Sequence, residues 1–393
     1  MKKFIAKPWL AGIACVAIAL AIAYIQSQKI TFKVNAENTN GNRNSGSDGQ
    51  DGAGTLISGL VNDKNKNESG TVLRMNPEPQ EKRLKYSKAP DFIGIENWIN
   101  SPPLKIAQLR GNVVLVDFWT YTCINCIRTL PYLKDWYNKY GDKGLVIVGV
   151  HTPEFDFEKK AENVQNAAAE YELKYPIAQD NFGATWNLYK NKYWPHEYLV
   201  DVDGYIRYDH VGEGNYDKTE KMIQDLLKER MERLNQKNGI DTSIARPKGA
   251  LEVDFSNVGT PEIYFGYQFT RGNFGNEEGI KQDETINYRA PSEIEPNNAY
   301  LVGNWKNNAD NMELAESQGS ILLDFDAKKA NMVAGSQKKS RVIVKLDGKE
   351  EQSNFNITEF KLYNAASADK YGRHMLRIDI KGEGFKIYTF TFG

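Results

Sequence analysis

The sequence predicts an α/β domain, built on a central mixed sheet with helices on both faces, followed by an all-β, jelly-roll-like sandwich. Three observations carry this. A run of apolar and β-branched residues from Val113 passes directly into Cys123-Ile-Asn-Cys126 and then into a helical pattern. Apolar runs alternate with helical stretches up to residue 238, as in folds with parallel strands. From Leu251 onward the pattern changes to short, turn-bounded runs. A chain of 393 residues suggests two domains with accessories. Lys and Arg total 50 against 51 Asp and Glu, so no charge bias argues for nucleic acid.

Residues 1–29 read as an export segment. Lys2, Lys3 and Lys7 precede an apolar run from Trp9 to Ile25, near the lower limit for spanning a bilayer. The basic flank places the amino end inside and the bulk of the chain outside a cell membrane. A cleaved signal with processing near Ala19-Leu-Ala21 is the competing reading. The apolar run continues past that point and favours an uncleaved anchor. Cys15, within the run, reads as an inert thiol. Residues 30–83 are rich in Asn, Gly, Ser, Asp and Lys, too polar to offset their ordering entropy, and read as a flexible linker.

The α/β domain is expected over 84–238, with order beginning near Ala89-Pro-Asp-Phe92. Gly111-Asn112 turns into the Val113 strand. After the cysteine helix, Gly141 to Gly144 makes a turn and Leu145 to Val150 a fully apolar strand. A helix over Phe157–Glu172 and a short strand over Tyr175–Ala178 follow. Tyr198–Val202 and Tyr205–Val211, joined by Asp203-Gly204, give a strong hairpin signal. A long amphipathic helix then ends near Lys237.

A cysteine at the mouth of a helix has its thiolate stabilised by unpaired backbone N–H groups and the positive end of the macrodipole. A second cysteine three residues on lies one turn away, the geometry thiol–disulfide exchange needs. C-x-x-C is also half of a zinc site, but three cysteines and four histidines offer no second ligand pair, so no metal is expected. A purely structural disulfide closing so short a loop gives little entropic gain.

Val116-Asp-Phe-Trp119, three residues, Cys-x-x-Cys and then Pro131 resemble the thioredoxin active-site run almost position for position. The resemblance implies a thioredoxin-like fold in which Asp117 is the buried acid, Trp119 packs beside it near substrate, and Pro131 kinks the helix. Ile124-Asn125 between the cysteines, and Thr122 where thioredoxin has Trp, depart from it and leave the redox potential open. It also implies that Pro195, after Trp194, has a cis peptide bond facing the cysteines, with Trp194 backbone groups beside the disulfide for a substrate strand. Gly212 matches the glycine that lets a partner approach. The Ala-Pro-Asp-Phe lead-in and an insertion between Cys126 and Pro195 shift the likeness to TlpA-like proteins. Within them, Phe118-Trp-Thr-Tyr-Thr-Cys-Ile-Asn-Cys, Gly149-Val-His-Thr-Pro-Glu-Phe155 and Trp194-Pro195 look most like the DipZ type. In the TlpA-like group a short hairpin precedes the first core strand. His151 and Glu154 follow the second core strand at the same sheet edge as Cys123. Glu154 and His196 are candidates for proton transfer, against a solvated-loop reading.

The last domain, 239–393, carries about seven strand-like runs, among them Glu262–Gly266, Ile321–Phe325, Arg341–Leu346 and Phe385–Phe390, with a hairpin turn at Leu346-Asp-Gly-Lys349. DipZ-type proteins have a carbohydrate-module-like domain at this place. The expectation is a membrane-anchored, extracytoplasmic thiol–disulfide oxidoreductase, with no cofactor beyond the Cys123–Cys126 disulfide and protein disulfides as substrates. The family likeness leans toward reduction, with electrons from a separate membrane carrier of the CcdA/DsbD kind, and toward cell-wall glycan or protein contact by the last domain. Two rivals stand. One is a thiol peroxidase: Thr120 precedes Cys123 by three residues, but Val116 occupies the place of the peroxiredoxin proline. The other is a surface-binding protein whose β domain is the functional part.

Overall fold

The computed structural model describes residues 77, 79–236, 239–350 and 354–393, which all belong to one compact unit. The expected anchor and most of the expected linker lie outside the described residues. Among the described residues no helix is long and apolar enough to cross a membrane.

Order begins earlier than Ala89, with helix α1 (Gln80–Lys85). Its Lys82 ammonium is buried against Asp201 and Asp203, 2.8 Å from each, and pairs with Glu229 as well. These three carboxylates form the one acidic cluster tight enough for a metal among the described residues. Lys82, Arg207 and Arg233 already neutralise it.

Strand β1 (Asn97–Ile99) leads to β2 (Val113–Trp119). Helix α2 (Ile124–Tyr140), β3 (Leu145–His151), α3 (Ala161–Glu170), β4 (Ile177–Gln179) and the short α4 (Ala184–Leu188) follow. The hairpin β5 (His196–Val200) and β6 (Ile206–Val211) and helix α5 (Tyr216–Arg233) complete this half. The sheet order is β1-β4-β3-β2-β5-β6, parallel among β2, β3 and β4 and antiparallel elsewhere. β1 pairs with β4, so the short hairpin expected before the first core strand does not form. The helix expected over Phe157–Glu172 is also shorter. Asp156–Lys159 makes a tight 3-10 turn and Lys160 is extended, because the Glu158 carboxylate accepts the backbone N–H groups of Glu154 (2.7 Å) and Phe155 (3.0 Å).

Every residue of β2 and β3 is buried, which fits their β-branched, nearly all-apolar sequences. Alternation divides β2 between two cores. Val113, Leu115 and Trp119 join Leu130, Leu133 and Trp136 of α2 and Ile223, Leu226 and Leu227 of α5. Val114, Val116 and Phe118 face the lead-in residues Phe92, Leu104, Ile106 and Leu109, with Trp186 of α4 packed beside them.

The carboxyl half is antiparallel. Its long strands are β9 (Ala299–Asn307), β11 (Gln318–Asp326), β12 (Lys329–Ser336), β13 (Ser340–Leu346), β16 (Lys361–Ser367), β17 (Arg373–Lys381) and β18 (Phe385–Phe392). Short strands β7 (Ile263–Tyr264), β8 (Thr285–Tyr288), β10 (Met312–Leu314), β14 (Lys349–Glu350) and β15 (Phe355–Ile357) add to them. β9 serves two layers: Ala299–Val302 pairs with β11, and residues beyond pair with β8 and β10. Gly303, at φ +105°, marks the change; a Cβ there would lie 2.7 Å from Glu316 Oε1. Between the layers lie Phe325, Trp305, Phe385, Phe390 and Ile378.

The two halves share a core. Tyr264, Val333 and Tyr388 of the β half belong to the same apolar cluster as Trp119 and Cys126. Tyr388 packs on Phe155 and Phe157 at ring-centroid distances of 5.0 and 4.8 Å.

Candidate active site

Strand β2 ends at Trp119 and delivers Cys123 to the N-cap of α2. There the Cys123 sulfur accepts the Cys126 backbone N–H at 3.2 Å. Both cysteines are free thiols, Cys123 partly exposed and Cys126 buried. Burial, and then the neighbouring Cys123, push the Cys126 thiol well above its ordinary value. Cys123 is thus the more accessible sulfur, and Cys126 holds its proton more tightly than an ordinary thiol.

A buried carboxyl stands near Cys126 on β2. Asp117 is 1% exposed, its Oδ1 has no hydrogen-bond partner, and burial raises its pKa to about 7. Directly across the ladder is Glu197 on β5, 2% exposed, its carboxyl raised by burial and then by Asp117. The sequence reading passes over Glu197 for His196, and the strand's alternation decides between them. His196 points to the opposite face, where it meets Tyr198 and Asn191 and approaches Asp209 at 3.0 Å. On that face it does not reach the dithiol, contrary to the expectation of a proton-transfer role there.

The Trp194–Pro195 bond is cis, as expected. Gly212 lies beside it, its N–H donating to Pro195 O at 2.8 Å, with open space where a Cβ would project. Trp194 donates its indole N–H to Thr152 O at 3.0 Å and rests on Trp186. Trp119 corrects the sequence reading. With no exposed surface and its ring edge on His151, it is a core residue under the site and cannot touch substrate.

Thr122, Cys123, Asn125, Glu154 and Trp194 line a cavity of about 280 Å³. Its other wall comes from the β half: Glu262, Tyr264, Arg271, Val333, Thr389 and Thr391. Arg271 lies 4.2 Å from the Tyr264 ring, whose hydroxyl donates to Glu262 at 3.1 Å. Burial, and then the Glu158 charge, raise Glu154 to about 8, so it can hold or release a proton beside Cys123 near neutral pH. His151 is fully buried, lowered to about 3 by that burial, and stacked on Tyr121; it stays neutral. Thr120 turns its hydroxyl to His151 (3.3 Å), and Thr122 bonds Glu158. Arg128 grips Glu213 through two nitrogens (2.6–3.0 Å) and Asn125 at 2.7 Å, fixing α2 to the loop after β6. Glu158, Glu197, Glu213 and the β-half wall carry no local sequence signal, since each acts through contacts distant in the chain.

A helix-capping Cys-x-x-Cys, a buried acid beneath it and a cis-proline facing it define the dithiol site of the thioredoxin fold. Residues 86–209 match the AhpC/TSA family and residues 260–393 the thioredoxin like C-terminal domain. Protein DipZ of Mycobacterium tuberculosis is 34% identical over 310 residues, 78% of this chain and 43% of that protein. The thiol-disulfide oxidoreductase YkuV of Bacillus subtilis is 26% identical over 140 residues, 36% of this chain and 94% of its own. The solution structure of a thioredoxin-like protein in the oxidized form is 28% identical, covering 37% of this chain and 97% of that one, with a TM-score of 0.35. The chain belongs to the family of the DipZ proteins, and its α/β half is a thioredoxin-like module. It pairs that module with the C-terminal domain in the DipZ manner, while spanning less than half the length of the DipZ proteins it matches.

Proposed function

We propose that this chain is an extracytoplasmic protein-disulfide reductase. The observation that carries the reading is the split between the two thiols: Cys123 partly exposed at a helix mouth, Cys126 buried behind it above Asp117. Cys123 attacks as thiolate, forming a bond to one substrate sulfur and releasing the other as a thiolate. Cys126 then loses its proton to Asp117 and attacks Cys123, freeing the second substrate thiolate and closing the Cys123–Cys126 disulfide. No cofactor is needed beyond that dithiol. Its two electrons are replaced by a separate membrane dithiol carrier of the CcdA/DsbD kind. The basic flank and apolar run before residue 26 support an outward location on a bacterial cell membrane. The residue roles at Cys123, Cys126, Asp117, Trp194, Pro195, Gly212 and Glu154 are part of this proposal. So are the domain limits and the contact of the β half with a cell-wall glycan or protein. The peroxidase reading gains nothing from Thr120, whose hydroxyl faces His151.

The test is reduction of insulin by the protein with a dithiol supplied. The parent should turn over, and Cys123→Ser should lose activity to the uncatalysed background. Full activity in Cys123→Ser overturns the assignment.

A further inference from the structure

Asp117 accepts a proton at each turnover and must lose it before the next. With 1% of its surface exposed under α2, it has no direct outlet to solvent. The ladder places a second titratable residue beside it and a third beyond. Asp117 on β2 pairs with Glu197 on β5, and Glu197 pairs with His210 on β6. Directly opposed residues of antiparallel strands project to the same face with Cβ atoms about 4.5–5.5 Å apart. The three side chains therefore form one row, from the space under Cys126 to the last strand of the sheet.

The row is polar and under-bonded where a structural ion pair would be satisfied. Asp117 Oδ1, both Glu197 oxygens and His210 Nε2 are buried without a hydrogen bond of regular geometry. The groups bearing on Glu197 are Asp117 from β2, His210 from β6, Thr219 and Tyr216 from α5, and Tyr175 from the segment before β4. Two opposed buried carboxyls do not both ionise readily, and the Asp117 charge accordingly raises Glu197, so the protonation of one depends on the other.

We propose that Glu197 and His210 form, with Asp117, a proton path that carries the Cys126 proton from beneath the dithiol to the edge of the sheet. The path rests on the exchange reading above. The Cys126 S–H bond breaks and its proton passes to the Asp117 carboxylate. Asp117 hands a proton to Glu197 as Glu197 releases one toward His210, and His210 returns it to solvent. The sulfur left behind attacks Cys123, and no electrons move along the row. Glu197 and His210 touch neither sulfur and act through Asp117, as positioning residues.

The experiment is a stopped-flow single turnover of the reduced full chain with an aromatic disulfide that releases a coloured thiolate at each step. The first release reports attack by Cys123 and the second reports resolution by Cys126. Glu197→Gln is expected to slow the second release by about tenfold or more at pH 7, the scale of acid–base assistance, and to flatten its pH profile. Glu197→Asp should bring the pH dependence back. His210→Ala should also slow the second release, and added imidazole should reverse that. A second release with the parent's rate and pH profile in both Glu197→Gln and His210→Ala overturns the path. Slowing in His210→Ala that imidazole does not reverse overturns the part given to His210. Should Glu197→Gln fail to fold, His210→Ala on the end strand decides alone. Absence of even the first release from the parent would instead overturn the exchange reading.

Discussion

Asp117 stands on β2 between Val116 and Phe118, neither of which has any exposed surface. Placing a carboxyl there favours its protonated form, and burial raises its pKa from 3.8 to about 7. The folded protein therefore binds more protons than the unfolded chain between those values, so stability falls as pH rises through that window. At 1.36 kcal/mol per pKa unit the full cost is roughly 4 kcal/mol, reached above pH 7 and absent below pH 4. Asp117→Asn should remove this slope, leaving the variant more stable than the parent at pH 8 by up to that amount. Urea unfolding at pH 5 and pH 8 measures it, and an unchanged slope contradicts the buried acid. The cysteines and Asp117 were legible in the sequence because they sit in one contiguous run. Glu197 was not, because its bearing on the site depends on which face of β5 looks toward α2. Trp119 was misplaced for the same reason: its proximity in sequence hid its burial.

Helix α2 is held near its N-terminus by Arg128, a buried residue bonded through two nitrogens to the mostly buried carboxylate of Glu213. Removing one partner of such a pair leaves an uncompensated charge in a dry place, at a cost of about 3–5 kcal/mol. Arg128→Ala should lose about that much stability and free the Gly212 loop from α2. Thermal unfolding with hydrogen exchange at residues 212–216 checks both; unaltered protection there would show that the pair does not hold the loop. The strands and α2 were readable from apolar periodicity, since these elements are buried along their whole length. The 3-10 turn at Asp156–Lys159 was not, because Phe157 extends the helical pattern while its side chain serves the β half.

On the scale of the molecule, the aromatic seam of Phe155, Phe157, Phe360 and Tyr388 joins the α/β half and the β half into one packing unit. Phe157→Ala should cost about 3–5 kcal/mol, and the halves should still melt in one transition, since Tyr264, Val333 and Tyr388 lie in the core of the α/β half. Calorimetry showing two separate transitions in the parent would contradict a shared core. The sequence reads as two domains in series, because a seam between distant segments leaves no local pattern. It hid in the same way that the β half walls the cavity beside Cys123. All of this bears on one claim, that Cys123 attacks and Cys126 resolves. The measurement that meets it most directly is mass spectrometry of Cys126→Ser after acid quench with a disulfide substrate. The account predicts a stable mixed disulfide at Cys123, and none in the parent once turnover is complete. A Cys126→Ser protein that carries no substrate on Cys123 would contradict it.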